Sequence, residues 1–276
     1  MNFAAEDMVD ADTDALDPQT IIAVGEGRDA WIPRRSPRSE PRLAPLDPDR
    51  LQTARRSILS TVRDEIVRFK IRLASTEGSR SSASYLIQKM YGWRGYAVSP
   101  LSADKRPITI VASDGAQALA TISIGFDSPE KLLARELYGP ELGSLRLAGA
   151  RLCEFTRLAV DRNEQSREVL AMMFHIAYMY ARRFANCTDL LIEVNPRHVR
   201  FYRAMLGFEV LGEERTCPRV NAPAVLLRLD LSYAQRQIAR VGGARGLAAE
   251  RRSLYPRAVP PQAPSQLGAG RRARTL

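Results

Sequence analysis

Histidine is scarce in this chain: His175 and His198 are the only two among 276 residues. That excludes a histidine-rich metal centre, and it leaves carboxylates and tyrosines to carry any proton transfer. The three cysteines (Cys153, Cys187 and Cys217) are too few and too scattered for a disulfide framework or a zinc site. No apolar run approaches the roughly 20 residues that a membrane-spanning helix needs. The opening MNFAAEDMVDADTD is acidic where a signal peptide would be basic and then apolar. These shortages together lead us to expect a soluble, reduced, cytoplasmic protein with no metal.

Charge is present in quantity but unevenly spread. Residues 1–50 hold 6 basic and 11 acidic side chains, residues 51–231 hold 26 and 19, and residues 232–276 hold 9 and 1. A basic centre and a more basic tail suit an acidic partner: nucleic acid, anionic lipid or an acidic carrier protein. Residues 1–50 are rich in Asp, Pro and Arg without apolar periodicity, so we expect an acidic, disordered segment there. A single domain is expected over 51–232, followed by a basic extension at 233–276 that is disordered beyond about 258.

The domain opens on Val67, Phe69, Ile71 and Leu73 alternating with Arg68, Lys70 and Arg72, the period of a half-buried strand. SSASYLIQKMY follows as a helix capped by Ser81 or Ser82. ITIVAS and QALATISI flank Asp114-Gly115, a dipeptide suited to a type I′ hairpin turn. SPEKLLARELYG reads as a helix with Pro129 in its first turn. RLCEFTRLAV is the next strand. The helix after it places Val169, Met173, Ile176, Tyr180 and Phe184 on one face and Glu168, His175 and Arg182 on the other. DLLIEV has the continuous apolar character of a central strand. Asn195 and Pro196 are the cap and first position of the next helix, and FEVLGE and AVLLRLDL close the domain.

This order resembles the GNAT superfamily of N-acyltransferases. The resemblance implies an α+β fold: a mixed, mostly antiparallel sheet with helices on both faces, splayed between its fourth and fifth strands to admit an acyl-pantetheine arm. Asn195, Tyr202 seven residues on, and Gly207-Phe208 are similar to the family's late-helix pattern, with Gly-Phe one residue later than the commonest form. The stretch DRNEQSREV (Asp161 to Val169) has no glycine where acyl-CoA-dependent members carry a glycine-bearing pyrophosphate loop. Glu154-Phe155-Thr156-Arg157 looks like the Glu-x-x-Arg of the acyl-homoserine-lactone synthases, which draw on acyl carrier protein. YLIQKMYGWRGY, EFTRLAVD, IEVNPRHVRFYRAMLGFEVLGE and VNAPAVLL resemble the long-chain N-acyl amino acid synthases (FeeM-like) over roughly Ile66 to Leu231, with an echo in RRSLYP.

The resemblance implies that an amino acid's α-amine attacks a long-chain acyl thioester on acyl carrier protein, or on CoA, the acyl-phosphopantetheine being co-substrate rather than a retained cofactor. The step needs a base, an oxyanion donor and an acid for the leaving thiolate. Glu154 is the preferred base, or else a structural partner of Arg157 or of another arginine. Glu193 is the rival base, or a strand-end carboxylate facing solvent. Tyr202 is the candidate acid, or a packed aromatic beside Phe201. Thr156, Arg157, Arg94 and Asn195 are candidate substrate contacts, with Arg157 or Arg94 reading the amino acid carboxylate. A bulge near Leu158 or Ala159 would bare a backbone N–H for the oxyanion. Met172 and Met173 line an acyl tunnel or fill the core. Arg162, Arg167, Arg182 and Arg183 form a carrier-protein dock or a solvated surface. His198 is expected on the surface and His175 on the polar helix face. Two other functions stay open: a GNAT using acetyl- or acyl-CoA on another amine, and a non-catalytic protein whose tail contacts nucleic acid. The second is the weaker, because no nucleic-acid-reading motif is present.

Overall fold

The computed structural model describes residues 69–92, 100–101, 107–127, 132–161, 166–244 and 253–258. Residues 1–50, Pro129, Arg94, Arg162 and the tail past 258 therefore lie outside the described residues.

Among the described residues seven strands form one sheet in the order β1-β2-β3-β4-β5-β7-β6. They are β1 Lys70–Leu73, β2 Ile108–Asp114, β3 Gln117–Phe126, β4 Leu152–Val160, β5 Asp189–Val194, β6 Glu209–Cys217 and β7 Ala222–Asp230. Only β4 and β5 pair parallel. Helices α1 (Glu77–Gly92) and α2 (Arg135–Leu147) cover one face. Helices α3 (Ser166–Met179), α4 (Val199–Leu206) and α5 (Leu231–Val241) cover the other, which carries the larger core.

Several local expectations shift. Helix α1 starts four residues before Ser81: Thr76 Oγ1 accepts the Ser79 N–H (3.2 Å) while Ser79 Oγ accepts the Thr76 N–H (3.1 Å), so this reciprocal pair is the cap. The hairpin closes on Asp114 opposite Gln117, with Gly115 and Ala116 between them. Of these two, only Gly115 takes positive φ (55°), the pattern of a II′ turn and not of I′. Helix α2 begins at Arg135 and kinks at Tyr138 (φ −123°, ψ 31°), two residues before Pro140, whose ring cannot continue the helical bonding. Asn195 ends β5 and caps the short 3₁₀ turn Pro196–His198, which leads into α4. Gly207 then ends α4 in the left-handed region (φ 77°), where a side chain would also run into the Tyr233 ring.

Both histidines are buried, at 6% exposure for His175 and 2% for His198. The reason for His175 lies beyond the expected domain end. Residue 232 falls inside α5, and Leu231, Ala234, Ile238 and Val241 join the main core along with Leu254, Tyr255 and Ala258. These residues cover the flank of α3 that its own sequence marks as polar, so α3 is buried on all sides from Val169 to Met179. Among the described residues no helix is long and apolar enough to cross a membrane.

Candidate active site

Strands β4 and β5 share three paired positions, Leu152↔Asp189, Cys153↔Leu190 and Glu154↔Leu191, although β4 runs on to Val160 and β5 to Val194. Beyond Glu154 the two neighbours part, and the sheet opens into a wedge. β4 also carries a bulge at its far end. Thr121 faces Ala159 but Ser123 faces Thr156, so β4 holds one extra residue there, and Arg157 takes φ 51° to absorb it. The extra residue inverts the side-chain alternation. Cys153 and Phe155 face the α3 core, and so do Leu158 and Val160, while Ala159 packs under α1. Thr121 Oγ1 donates to the Arg157 carbonyl (2.9 Å) and Tyr91 Oη donates to that of Leu158 (3.0 Å), which pins the bulge from both sides.

Glu154 stands at the base of the wedge, buried, and points toward α2. Its two carboxylate oxygens accept the backbone N–H groups of Leu133 (2.9 Å) and Ala134 (3.1 Å), so a strand residue caps the start of α2. Gly125, its cross-strand partner, gives it room: a Cβ there would lie 3.0 Å from Glu154 Cγ and Oε1. Burial pushes the Glu154 carboxyl up to about 7, against the pull of the two N–H bonds and of Arg219.

Glu193 lies on the same face, two residues past Leu191 on β5. It pairs with Arg219, which arrives from the β6–β7 turn; the two side chains are 2% and 1% exposed. Arg219 also donates to the Leu133 carbonyl and to Glu136 Oε2, each at 3.2 Å. Glu193 Oε1 is buried without a hydrogen-bond partner among the described residues. Burial pushes this carboxyl up to about 7 as well; Arg219 opposes the shift and the Glu154 charge reinforces it. Arg219 thus bonds Glu193 and Glu136 directly and acts on Glu154 through its charge.

The remaining candidates separate. Tyr202 is buried on the opposite face, edge-on to Phe174, Phe201 and Phe208. Thr156 is buried within the wedge, opposite Ser123. Arg157 makes no pair with Glu154: the bulge turns it away, it has no carboxylate partner among the described residues, and burial lowers its pKa. The Asn195 carboxamide accepts the Arg197 N–H (3.3 Å) and shapes the turn into α4. Met172 and Met173 are wholly buried core residues, and neither lines the apolar cavity beside α3. The docking arginines do not form one patch. Arg167 is in the first turn of α3, whereas Arg182 and Arg183 lie in the π-turn Tyr180–Phe184 after it. The fifteen-residue step from Arg167 to Arg182 spans about 22 Å of helix. Arg182 also donates to the Cys187 carbonyl (3.3 Å) and to Gln235 (3.4 Å).

Sequence reasoning missed Arg219, because nothing in CPRVNAP marks an arginine as buried. Among the described residues no group of three His, Cys, Asp or Glu side chains could hold a metal.

A family model described as N-acyl amino acid synthase FeeM matches residues 82–230. The chain belongs to the FeeM family. FeeM itself, an N-acyl amino acid synthase from uncultured soil microbes, is 26% identical over 61% of this chain and 95% of its own, with a TM-score of 0.54. The acyl-homoserine-lactone synthase LasI is 13% identical over 59% of this chain and 90% of its own (TM-score 0.44). An N-acetyltransferase from Staphylococcus aureus Mu50 is 14% identical over 60% and 99% (TM-score 0.42). No curated protein matches the chain. As a member of the FeeM family, whose model is described as an N-acyl amino acid synthase, the chain is an N-acyltransferase.

Proposed function

We propose that this chain joins a long-chain acyl group, delivered as a thioester on acyl carrier protein, to the α-amine of an amino acid. The observation that carries the reading is the wedge past Glu154 and Leu191, with the buried carboxylate of Glu193 two residues further along β5 keeping one oxygen without a hydrogen-bond partner among the described residues. The amine nitrogen attacks the thioester carbon, the C–N bond forms and the C–S bond breaks. Glu193 takes the ammonium proton, directly or through water, and the second nitrogen proton reaches the leaving thiolate through water, because Tyr202 packs among Phe174, Phe201 and Phe208 on the opposite face. Glu193 suits the base role better than Glu154, whose two oxygens already hold the start of α2. A carboxyl raised toward 7 by burial is matched to proton transfer near neutral pH. The glycine-free stretch Asp161 to Val169 favours a carrier protein over CoA, because a pyrophosphate clamp needs close backbone approach. A reduced cytoplasmic setting fits such a donor.

The test offers the purified chain long-chain acyl carrier protein, or the matching acyl-CoA, with a pool of amino acids, and detects N-acyl products by mass spectrometry. Faster product from the carrier-protein donor is expected, with Glu193→Gln lowering the rate about 100-fold or more and Glu154→Gln lowering stability more than rate. Product from short acyl-CoA alone would move the assignment to another amine acyltransferase. A folded protein that makes no product from any donor would sink the reading.

A further inference from the structure

The matched region ends at residue 230, yet the core does not. Helix α5 and the segment Leu254–Ala258 lie beyond it and close over α3. Three bonds fasten the segment: Leu254 N–H to the Met205 carbonyl (3.1 Å), Tyr255 Oη to the Leu206 carbonyl (2.7 Å), and Gly243 N–H to the Ala258 carbonyl (2.8 Å). Between this lid and the sheet remains an apolar cavity of about 30 Å³, lined among others by Phe155, Phe174, His175, Ala234, Leu254 and Tyr255.

Two features distinguish the cavity from a packing fault. Phe155, the first β4 residue past the last β4–β5 pair, forms part of its wall, so the cavity begins directly behind the wedge. His175 lines it with both ring nitrogens buried and no hydrogen-bond partner among the described residues. A void left by imperfect packing has no reason to carry a polar side chain, and burying one unpaired is unfavourable. The imidazole is also uncharged at neutral pH, since burial holds its pKa down near 4, so it does not repel an apolar occupant. At its present size the cavity holds about one water and not a chain. An occupant larger than that must push against Leu254–Ala258, a segment built on the short 3₁₀ turn Tyr255–Arg257 rather than on a strand or a long helix.

We propose that this cavity is the far end of the acyl-chain site, and that the Leu254–Ala258 segment with α5 is the wall that fixes the length of chain accepted. The proposal rests on the acyl-transfer reading above. Truncating the wall should admit longer chains, and thickening it should exclude them. Leu254→Ala removes three carbons from the wall. Ala234→Val adds two from the α5 side. Each methylene gained or lost in an apolar site is worth about fourfold in binding.

The experiment measures product from saturated acyl carrier protein donors of graded length, against one amino acid acceptor, with the full chain. Leu254→Ala should move the preferred length up by about two carbons and raise the long-to-short ratio of kcat/KM roughly tenfold. Ala234→Val should move it the other way, so loss of fold in one variant still leaves the other as a test. In parallel, the rise in melting temperature with S-acyl pantetheines of the same lengths reads binding without turnover. Wild type that turns over no donor while the variants still shift the length dependence of melting would refute the acyl-transfer reading and keep the wall. Active, folded variants with the wild-type length profile in both assays would overturn the wall.

Discussion

Replacing Arg219 by Met tests the charge arrangement at the wedge, because Met keeps much of the side-chain volume and removes the cation that two buried carboxyls share. Removing one partner of a buried ion pair costs about 3–5 kcal/mol when the other is left charged. Glu193 has an escape, since its carboxyl already titrates near 7 and can take up a proton. The loss should therefore sit at the low end, about 3 kcal/mol, which for a domain of this size is roughly 6 to 12 °C in Tm. Function should change in a way instability cannot imitate. A charge-assisted hydrogen bond contributes about 1.5–3 kcal/mol, so its removal should raise the Glu193 pKa by about one to two units. The base is active when deprotonated and half so at pH 7 in the wild type, so at pH 7 the rate should fall about 5- to 50-fold and recover toward pH 9. A pH–rate profile with the long-chain donor, taken well below the variant's Tm, reads this directly. An unchanged profile midpoint would refute the claim that Arg219 sets the protonation of Glu193, whatever the rate at pH 7.

The two raised carboxyls also make stability fall with pH. Their folded values near 7 exceed the ordinary value of 4.5, so the folded state keeps protons that the unfolded chain has released between those limits. Stability should be fullest below about 4.5 from these groups and decline through 7, by up to about 3 kcal/mol for each carboxyl. Urea unfolding from pH 5 to 8 reads the slope, Glu193→Gln should flatten it, and a stability that climbs with pH instead would contradict the burial argument. Gly125→Ala should displace the Glu154 carboxylate from the α2 backbone, because the new methyl would sit 3.0 Å from it. The expected cost is about 1–3 kcal/mol in urea melts, with Gly125→Ala in a Glu154→Ala background costing less than in wild type.

The ladder of elements is legible in local pattern. The alternation in β1, the Asp-Gly turn, the apolar run of β5 and the Asn-Pro start before α4 are local signals, because strand period, turn chemistry and capping each involve residues within a few positions of one another. The same locality explains the errors. A helical wheel puts His175 on a polar face because it knows only its own helix, and the covering residues Ile238 and Tyr255 come more than sixty positions later. The Glu154 signal was real, but its use as a cap for α2 depends on where another helix begins. Arg219 carried no signal at all: it becomes buried because β6 and β7 pair in a register that returns their turn to the wedge, placing it 26 residues from its partner Glu193. Tertiary structure alone decided which carboxylate is committed to the fold and which keeps a free oxygen, since desolvation and ion pairing are set by neighbours that no local pattern specifies.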